Sequence, residues 1–300
     1  MRELIENPRE RRSPSLAVTA LLIGAACIGA SALWVKVSET GPVSTGFWRV
    51  FLALPLLWAW ALAERGRPSR AEPATQRRLM LWAGLFFAGD LAVWHWSIVL
   101  TSVANATLLA NLAPIFVALA AWILFHRTPS GRFLAGLATA LAGMAVVIGS
   151  DFGLAGRQVL GDALGVVTAM FYAGYQLVVT RLRASTSTAS IMAWSGVIAA
   201  AALLPLALAS GERFLPHTGG GWGKLIGLAL MSQVVGQSLI AYAMAHLPAT
   251  FSSVGLLFQP VMAALFAWIL LGEMLGWIEI AGAITVLAGI RIVHQAETTR

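Results

Sequence analysis

Ten runs of mostly apolar residues, 19 to 24 long, follow one another with short polar breaks between them: 15–37, 43–63, 79–99, 102–125, 132–150, 158–180, 188–210, 222–245, 248–271 and 275–293. A helix needs roughly 20 apolar residues to cross a hydrocarbon core of about 30 Å. The runs are too long for barrel strands and lack their two-residue alternation. They predict an all-α integral membrane protein with ten transmembrane helices, and leave almost no chain for a soluble domain.

The pattern repeats. P-I-F-V-A-L-A-A-W-I-L at 114–124 returns as P-V-M-A-A-L-F-A-W-I-L at 260–270, displaced by 146 residues. The register holds without a gap to Ala135-Gly136 against Ala281-Gly282, Thr139 against Thr285, and Leu141-Ala142-Gly143 against Leu287-Ala288-Gly289. Two homologous halves are implied, 1–150 and 158–300, joined by a linker at 151–157. Five helices per half is an odd number, so the second half enters the membrane from the opposite side. The expectation is two inverted five-helix repeats, a common ground plan of transporters.

Charge changes the picture only through its placement. The chain is 58% hydrophobic and 11% charged, with a net charge of +7 and a mean hydropathy of +0.79. A basic balance can point to nucleic acid. With the N-terminus in the cytoplasm, however, 15 cations fall on that side: Arg2, Arg9, Arg11, Arg12, Arg65, Arg67, Arg70, Arg77, Arg78, Arg127, Arg132, Arg181, Arg183, Arg291 and Arg300. The positive-inside rule then predicts a multi-pass membrane protein with both termini cytoplasmic. Its partners are the lipid bilayer and a small-molecule substrate, with no nucleic acid.

Cys27 is the one cysteine, which excludes an internal disulfide and a multi-cysteine metal site. No metal and no cofactor are expected. Arg11-Arg12 upstream of Cys27 looks a little like a twin-arginine or lipoprotein signal, but cleavage would delete the first helix and break the symmetry of the halves. The small residues of the fifth and tenth helices, Gly136 to Ala145 and Gly282 to Ala288, suit close packing, in the bundle or at a dimer contact. A monomer or weak homodimer is expected.

An ionisable residue at membrane depth costs about 2.5–3.5 kcal/mol on insertion scales and marks function by default. Asp90 falls near the middle of the third helix, His95 further out, Arg49 about two turns inside the second helix and Lys36 near the outer end of the first. Arg49 and Lys36 suit a substrate carboxylate, or they snorkel and pair with Glu39. His95, in Trp94-His95-Trp96, reads as an interior histidine, a substrate contact or a proton carrier. Asp90 is the candidate for proton coupling. Neutral polar residues add Asn105, Thr107 and Asn111 on the fourth helix, Ser252, Ser253 and Gln259 on the ninth, Gln233, Gln237 and Tyr242 on the eighth, and Tyr172, Tyr175 and Gln176 on the sixth. Interhelical hydrogen bonds are worth only about 0.6 kcal/mol each, so a polar cavity is the better account of this concentration. Pro114 and Pro260 occupy equivalent mid-helix positions, remove a backbone bond each and are candidate hinges.

Arg49 in F-W-R, the paired P-x-x-x-A-L-x-A-W-I-L segments and the small-residue helix after each resemble the EamA-type permeases of the drug/metabolite transporter superfamily. The tryptophan-rich centre resembles the amino-acid exporters of that group, including those for aromatic amino acids, of bacterial inner membranes, which implies the same bacterial-type inner membrane for this chain. The resemblance implies a central cavity lined by helices one to four and six to nine, with five and ten outside. It also implies export of small amphipathic metabolites by alternating access. Lipophilic cations or drugs, drawn by Asp90, are the alternative cargo. No G-x-S-x-G or H-E-x-x-H occurs, and no enzyme activity is expected.

Overall fold

The computed structural model describes residues 14–64, 73–101, 103–126, 128–148, 156–272 and 276–298. The expectations that involve 1–13, 65–72, Arg127, 151–155 and Arg300 lie outside the described residues, as do the side chains of Lys36 and His95. Among the described residues all regular structure is helical: α1 (Pro14–Lys36), α2 (Pro42–Phe51), α3 (Leu54–Ala63), α4 (Pro73–Leu100), α5 (Val103–Ala110), α6 (Ala113–Phe125), α7 (Gly131–Ile148), α8 (Gly156–Arg183), α9 (Thr188–Ala209), α10 (Gly219–Leu228), a π-helical segment (Ala229–Gln237), α11 (Ser238–Ala243), α12 (Ala249–Gly255), α13 (Phe258–Leu271) and α14 (Trp277–Thr298). Nine helices among these residues are long and apolar enough to cross a membrane, and Gly131–Val147 of α7 is a shorter apolar one.

The ranges 43–63, 102–125 and 248–271, expected as continuous helices, are each interrupted. Prolines 55, 114 and 260 follow the three breaks. Proline has no N–H and its ring clashes with the carbonyl four residues back, so the preceding turn tightens to three-residue bonds. Ala53 N donates to Val50 O (3.2 Å), Leu112 N to Leu109 O (3.1 Å) and Leu257 N to Val254 O (3.0 Å). The repeat extends into the caps. His126 ends α6 and Gly272 ends α13, both in the left-handed region at φ 51 and 67, and they stand at equivalent positions of the two halves. Only glycine adopts that conformation without steric cost.

Small residues set the helix contacts. α7 and α14 run antiparallel, with Gly136 against Gly289 and Val293, and Gly143 against Gly282 and Val286. α4 and α8 interlock through Gly89 under the Phe171 ring and Gly174 under the Phe86 ring. α1 packs on α13, the π segment and α11, while α9 packs on α2, α3 and α4. One side of the bundle is closed by Leu21, Leu57, Val179, Ile191, Met192 and Val254, all 0% exposed. The other side holds the cavity.

Candidate substrate cavity

A cavity of about 710 Å³ occupies one half of the bundle. Its wall takes Ile28, Gly29, Ser31, Leu33 and Val35 from α1, Pro42, Thr45, Gly46 and Arg49 from α2, Phe87, Asp90, Leu91, Trp94 and Ile98 from α4 and Gln259, Pro260, Ala263, Ala264 and Ala267 from α13, with Thr107, Ala110, Asn111, Thr168, Tyr172, Leu228 and Gln237 between them. On α8 the lining stops at Tyr172 and on α2 at Arg49. Val147 of α7 contributes at the edge, whereas α9 contributes no lining residue among those described.

Arg49 and Asp90 both face this space and are close enough to interact electrostatically. Arg49 is 8% exposed. Its Cζ lies 5.9 Å from the centroid of the Phe87 ring, a cation–π distance. Its Nε is buried without a hydrogen-bond partner, which leaves a donor of a permanent cation unused in the wall. Tyr172 stacks on Tyr175 (6.4 Å, 9°) and Tyr175 meets Phe87 at 5.0 Å, so Tyr172 and Phe87 floor the cavity with the Tyr175 ring buried behind them. Gln259 Nε2 donates to Tyr172 Oη (3.3 Å) across that floor.

Of the residues singled out from sequence, Arg49, Asp90, Trp94, Thr107, Asn111, Tyr172, Gln237, Gln259 and Pro260 line the cavity. Asn105, Tyr175 and Ser253 are buried off it, at 0%, 1% and 1% exposure, and Pro114 stands behind the break in its helix. Tyr175 Oη points to Met192 Sδ (3.9 Å) and Ser253 Oγ donates to Thr250 O (2.8 Å). Ser252 and Gln259, seven residues apart, share a face only on an unbroken helix. The interruption at 256–257 turns Ser252 into the core. Thr45, Phe87 and Thr168 were missed. Thr168 was findable, because it precedes Tyr172 by four residues and so shares its face.

The rim is tied by two carboxylates. Glu39, in the α1–α2 connection, accepts from His217 N (3.0 Å), Thr218 N (3.2 Å) and Thr218 Oγ1 (2.6 Å) at the start of α10, with Lys224 Nζ 3.9 Å away. These donors, the Thr218 hydroxyl first among them, hold its carboxyl below the usual glutamate range. Glu212, after α9, accepts from Val43 N (3.0 Å) in the first turn of α2. Each carboxylate caps the helix N-terminus of the other segment, where free N–H groups and the helix dipole favour an anion. A Cβ on Gly41 would collide with Glu212, and one on Gly221 with Glu39. Trp48 Nε1 donates to Phe214 O (2.7 Å) beside this clasp. Pairing of Glu39 with Arg49, open on sequence, is replaced by the cap on α10.

Residues 15–149 and 159–294 each match the sequence model of one family. The chain belongs to the EamA-like transporter family. An uncharacterized transporter of Archaeoglobus fulgidus is 27% identical to this EamA-like chain over 271 residues, 87% of the chain and 91% of that protein. The pseudopaline exporter CntI of Pseudomonas aeruginosa is 27% identical over 216 residues, 72% of each. A solved crystal structure superposes with a TM-score of 0.77 at 18% identity, over 95% of this chain and 99% of its own, a likeness in fold. The EamA-like chain is therefore a multi-pass membrane transporter built from two matching halves.

Proposed function

We propose that this transporter exports small amphipathic metabolites, neutral and aromatic amino acids in particular, by alternating access across a bacterial-type cytoplasmic membrane. The observation that carries the reading is Arg49: a buried cation with an unused Nε donor, set in a cavity wall that also holds Asp90. A buried charge is expensive unless it meets a partner. Beside Asp90, a substrate carboxylate supplies a hydrogen-bond partner to the unused Nε of Arg49, its ammonium group suits Asp90 and Gln237, and Trp94 and Tyr172 offer ring faces to an apolar side chain. The volume falls within the about 300–1,000 Å³ typical of small-molecule sites. The exporter name of the Pseudomonas relative supports outward flux.

Inversion of the repeats is part of the proposal. α7 and α14 hold equivalent places in the two halves yet pack antiparallel, and the contact of Gly136 with Gly289 is matched by that of Gly282 with Gly143. This is the pattern of a two-fold axis lying across the helices. With α7 as a tenth crossing, the basic flanks favour cytoplasmic termini and the clasped rim faces outward. Transport by a single copy is sufficient, since both halves of the cavity come from one chain.

The second reading, export of lipophilic cations, draws on Asp90 in the wall. Counterflow in proteoliposomes tests both. Exchange of labelled phenylalanine or leucine is expected, and Asp90→Asn should slow rather than abolish it. Absence of amino-acid flux together with cation efflux that Asp90→Asn abolishes would transfer the assignment to the second reading.

A further inference from the structure

The face of α8 that lines the cavity does not end at its floor. Thr168 and Tyr172 are wall residues, and Gln176 follows them by one more step of four, on the same face. Gln176 is 0% exposed, and neither its Oε1 nor its Nε2 has a hydrogen-bond partner. α8 packs on α11 and α12. Each brings a buried hydroxyl oxygen in the same condition, Tyr242 Oη and Ser252 Oγ. α8 and two helices that touch it thus hold unpaired polar atoms in the half of the bundle that is closed.

Buried polar atoms without partners carry a free-energy cost, and in native proteins each needs a reason. Packing supplies none, since leucine would fill the position of Gln176 without that cost. A second conformation does. Between the cavity and Gln176 stands the hydrogen bond from Gln259 to Tyr172. It joins α8 to α13 next to Pro260 and the break at 256–257, where the backbone is least constrained by its own helix bonds.

We infer that Gln176, with Ser252 and Tyr242, forms an inner substrate station that is exposed when the Tyr172–Gln259 bond opens, on the side of the membrane opposite the present cavity. The inference rests on the alternating-access reading. A carboxamide offers both a donor and an acceptor, so the station takes an uncharged polar pair or the amino and carboxylate groups of one substrate. Tyr172 and Gln259 are positioning residues for it.

Single-cysteine accessibility tests this, and the chain has one native cysteine to remove, Cys27. In a Cys27→Ser background, Asn111→Cys, Gln176→Cys and Leu203→Cys are reconstituted and exposed to a charged thiosulfonate supplied on both sides of the membrane. Asn111→Cys, half-buried in the cavity wall, is expected to react and Leu203→Cys, 0% exposed in the core, to stay silent. Tyr172→Phe removes one neutral hydrogen bond and should shift the equilibrium about 2- to 12-fold. Labelling of Gln176→Cys should rise by that factor and labelling of Asn111→Cys should fall. Gln259→Ala breaks the same bond from its other end and should do the same. If Asn111→Cys reacts but Gln176→Cys stays as silent as Leu203→Cys in both backgrounds, the station is overturned and the cavity stands. If Asn111→Cys is itself silent, the cavity reading fails and this one with it.

Discussion

The two halves of the bundle across the membrane are built on opposite economies. In the cavity half, charged and hydrogen-bonding groups face a space of about 710 Å³, and the rim above it is fixed by long-range bonds from Glu39 and Glu212. In the closed half, apolar side chains seal the helices and the buried polar atoms of Gln176 and Ser252 have nothing to bond. The difference teaches that hydrogen bonds hold the open half and apolar packing holds the closed one, while each half also buries unpaired polar atoms, Arg49 Nε and Gln237 Oε1 in the first and Gln176 in the second. A transporter that alternates needs the two to trade places.

The strongest way to break this contrast is at Arg49. A charge-assisted hydrogen bond is worth about 1.5–3 kcal/mol, so Arg49→Met should raise the KM for an amino-acid substrate roughly 10- to 150-fold. Arg49→Lys should recover part of it, because lysine keeps the charge but not the planar fork. Initial-rate uptake in proteoliposomes reads both. A KM within twofold of the parent for Arg49→Met would show that the cation faces the cavity without serving it.

A second test strikes the rim. Adding side chains at Gly41 or Gly221 forces the carboxylates of Glu212 or Glu39 aside, and overpacking of this kind costs about 1–3 kcal/mol. Gly41→Val and Gly221→Val should therefore lower the melting temperature in detergent. Gly223→Ala is the control on the same helix, since nothing lies within 4 Å of its would-be Cβ. Equal melting temperatures for all three would mean that the clasp does not hold the rim.

The clasp also marks where sequence reading runs out. The periodic features were legible: the helices, the duplication, and the polar residues on the fourth, sixth, eighth and ninth of them, of which Asn111, Tyr172, Gln237 and Gln259 meet at one cavity. The bonds between Glu39 and Thr218 or Glu212 and Val43 join residues 179 and 169 positions apart, and no local pattern encodes them. The π segment was equally hidden, because a change from four-residue to five-residue bonding leaves the apolar composition as it was. Ser252 was misplaced by the assumption of an unbroken helix, although Pro260 was in plain view.

The equivalent caps at His126 and Gly272 give a smaller test, one on each half. A non-glycine residue in the left-handed region costs about 1 kcal/mol, so His126→Gly should stabilise the chain by about that amount and Gly272→His should cost the same. Thermal unfolding of the two single variants and of the pair would then be close to additive, because residues in separate parts of the fold act independently. A loss of stability in His126→Gly would mean that the imidazole makes contacts that outweigh the strain.

The smallest effect is expected at Glu39, and its sign follows from its partners. Its carboxyl is held below the ordinary glutamate value by the Thr218 hydroxyl first, then by backbone N–H groups and Lys224. A group whose folded value is depressed adds stability above its unfolded value, about 4.3 for glutamate, and loses it as pH falls through the folded value. Glu39→Gln keeps one acceptor for Thr218 but removes the charge, so it should melt slightly below the parent at pH 7 and converge with it in the acid limb. High salt should narrow the gap at pH 7, since exposed charges are screened. A gap that persists unchanged at low pH would assign the role of Glu39 to hydrogen-bond geometry alone. In the closed half, Gln176→Leu replaces an uncharged amide and should shift the melting temperature by the same amount across that pH range.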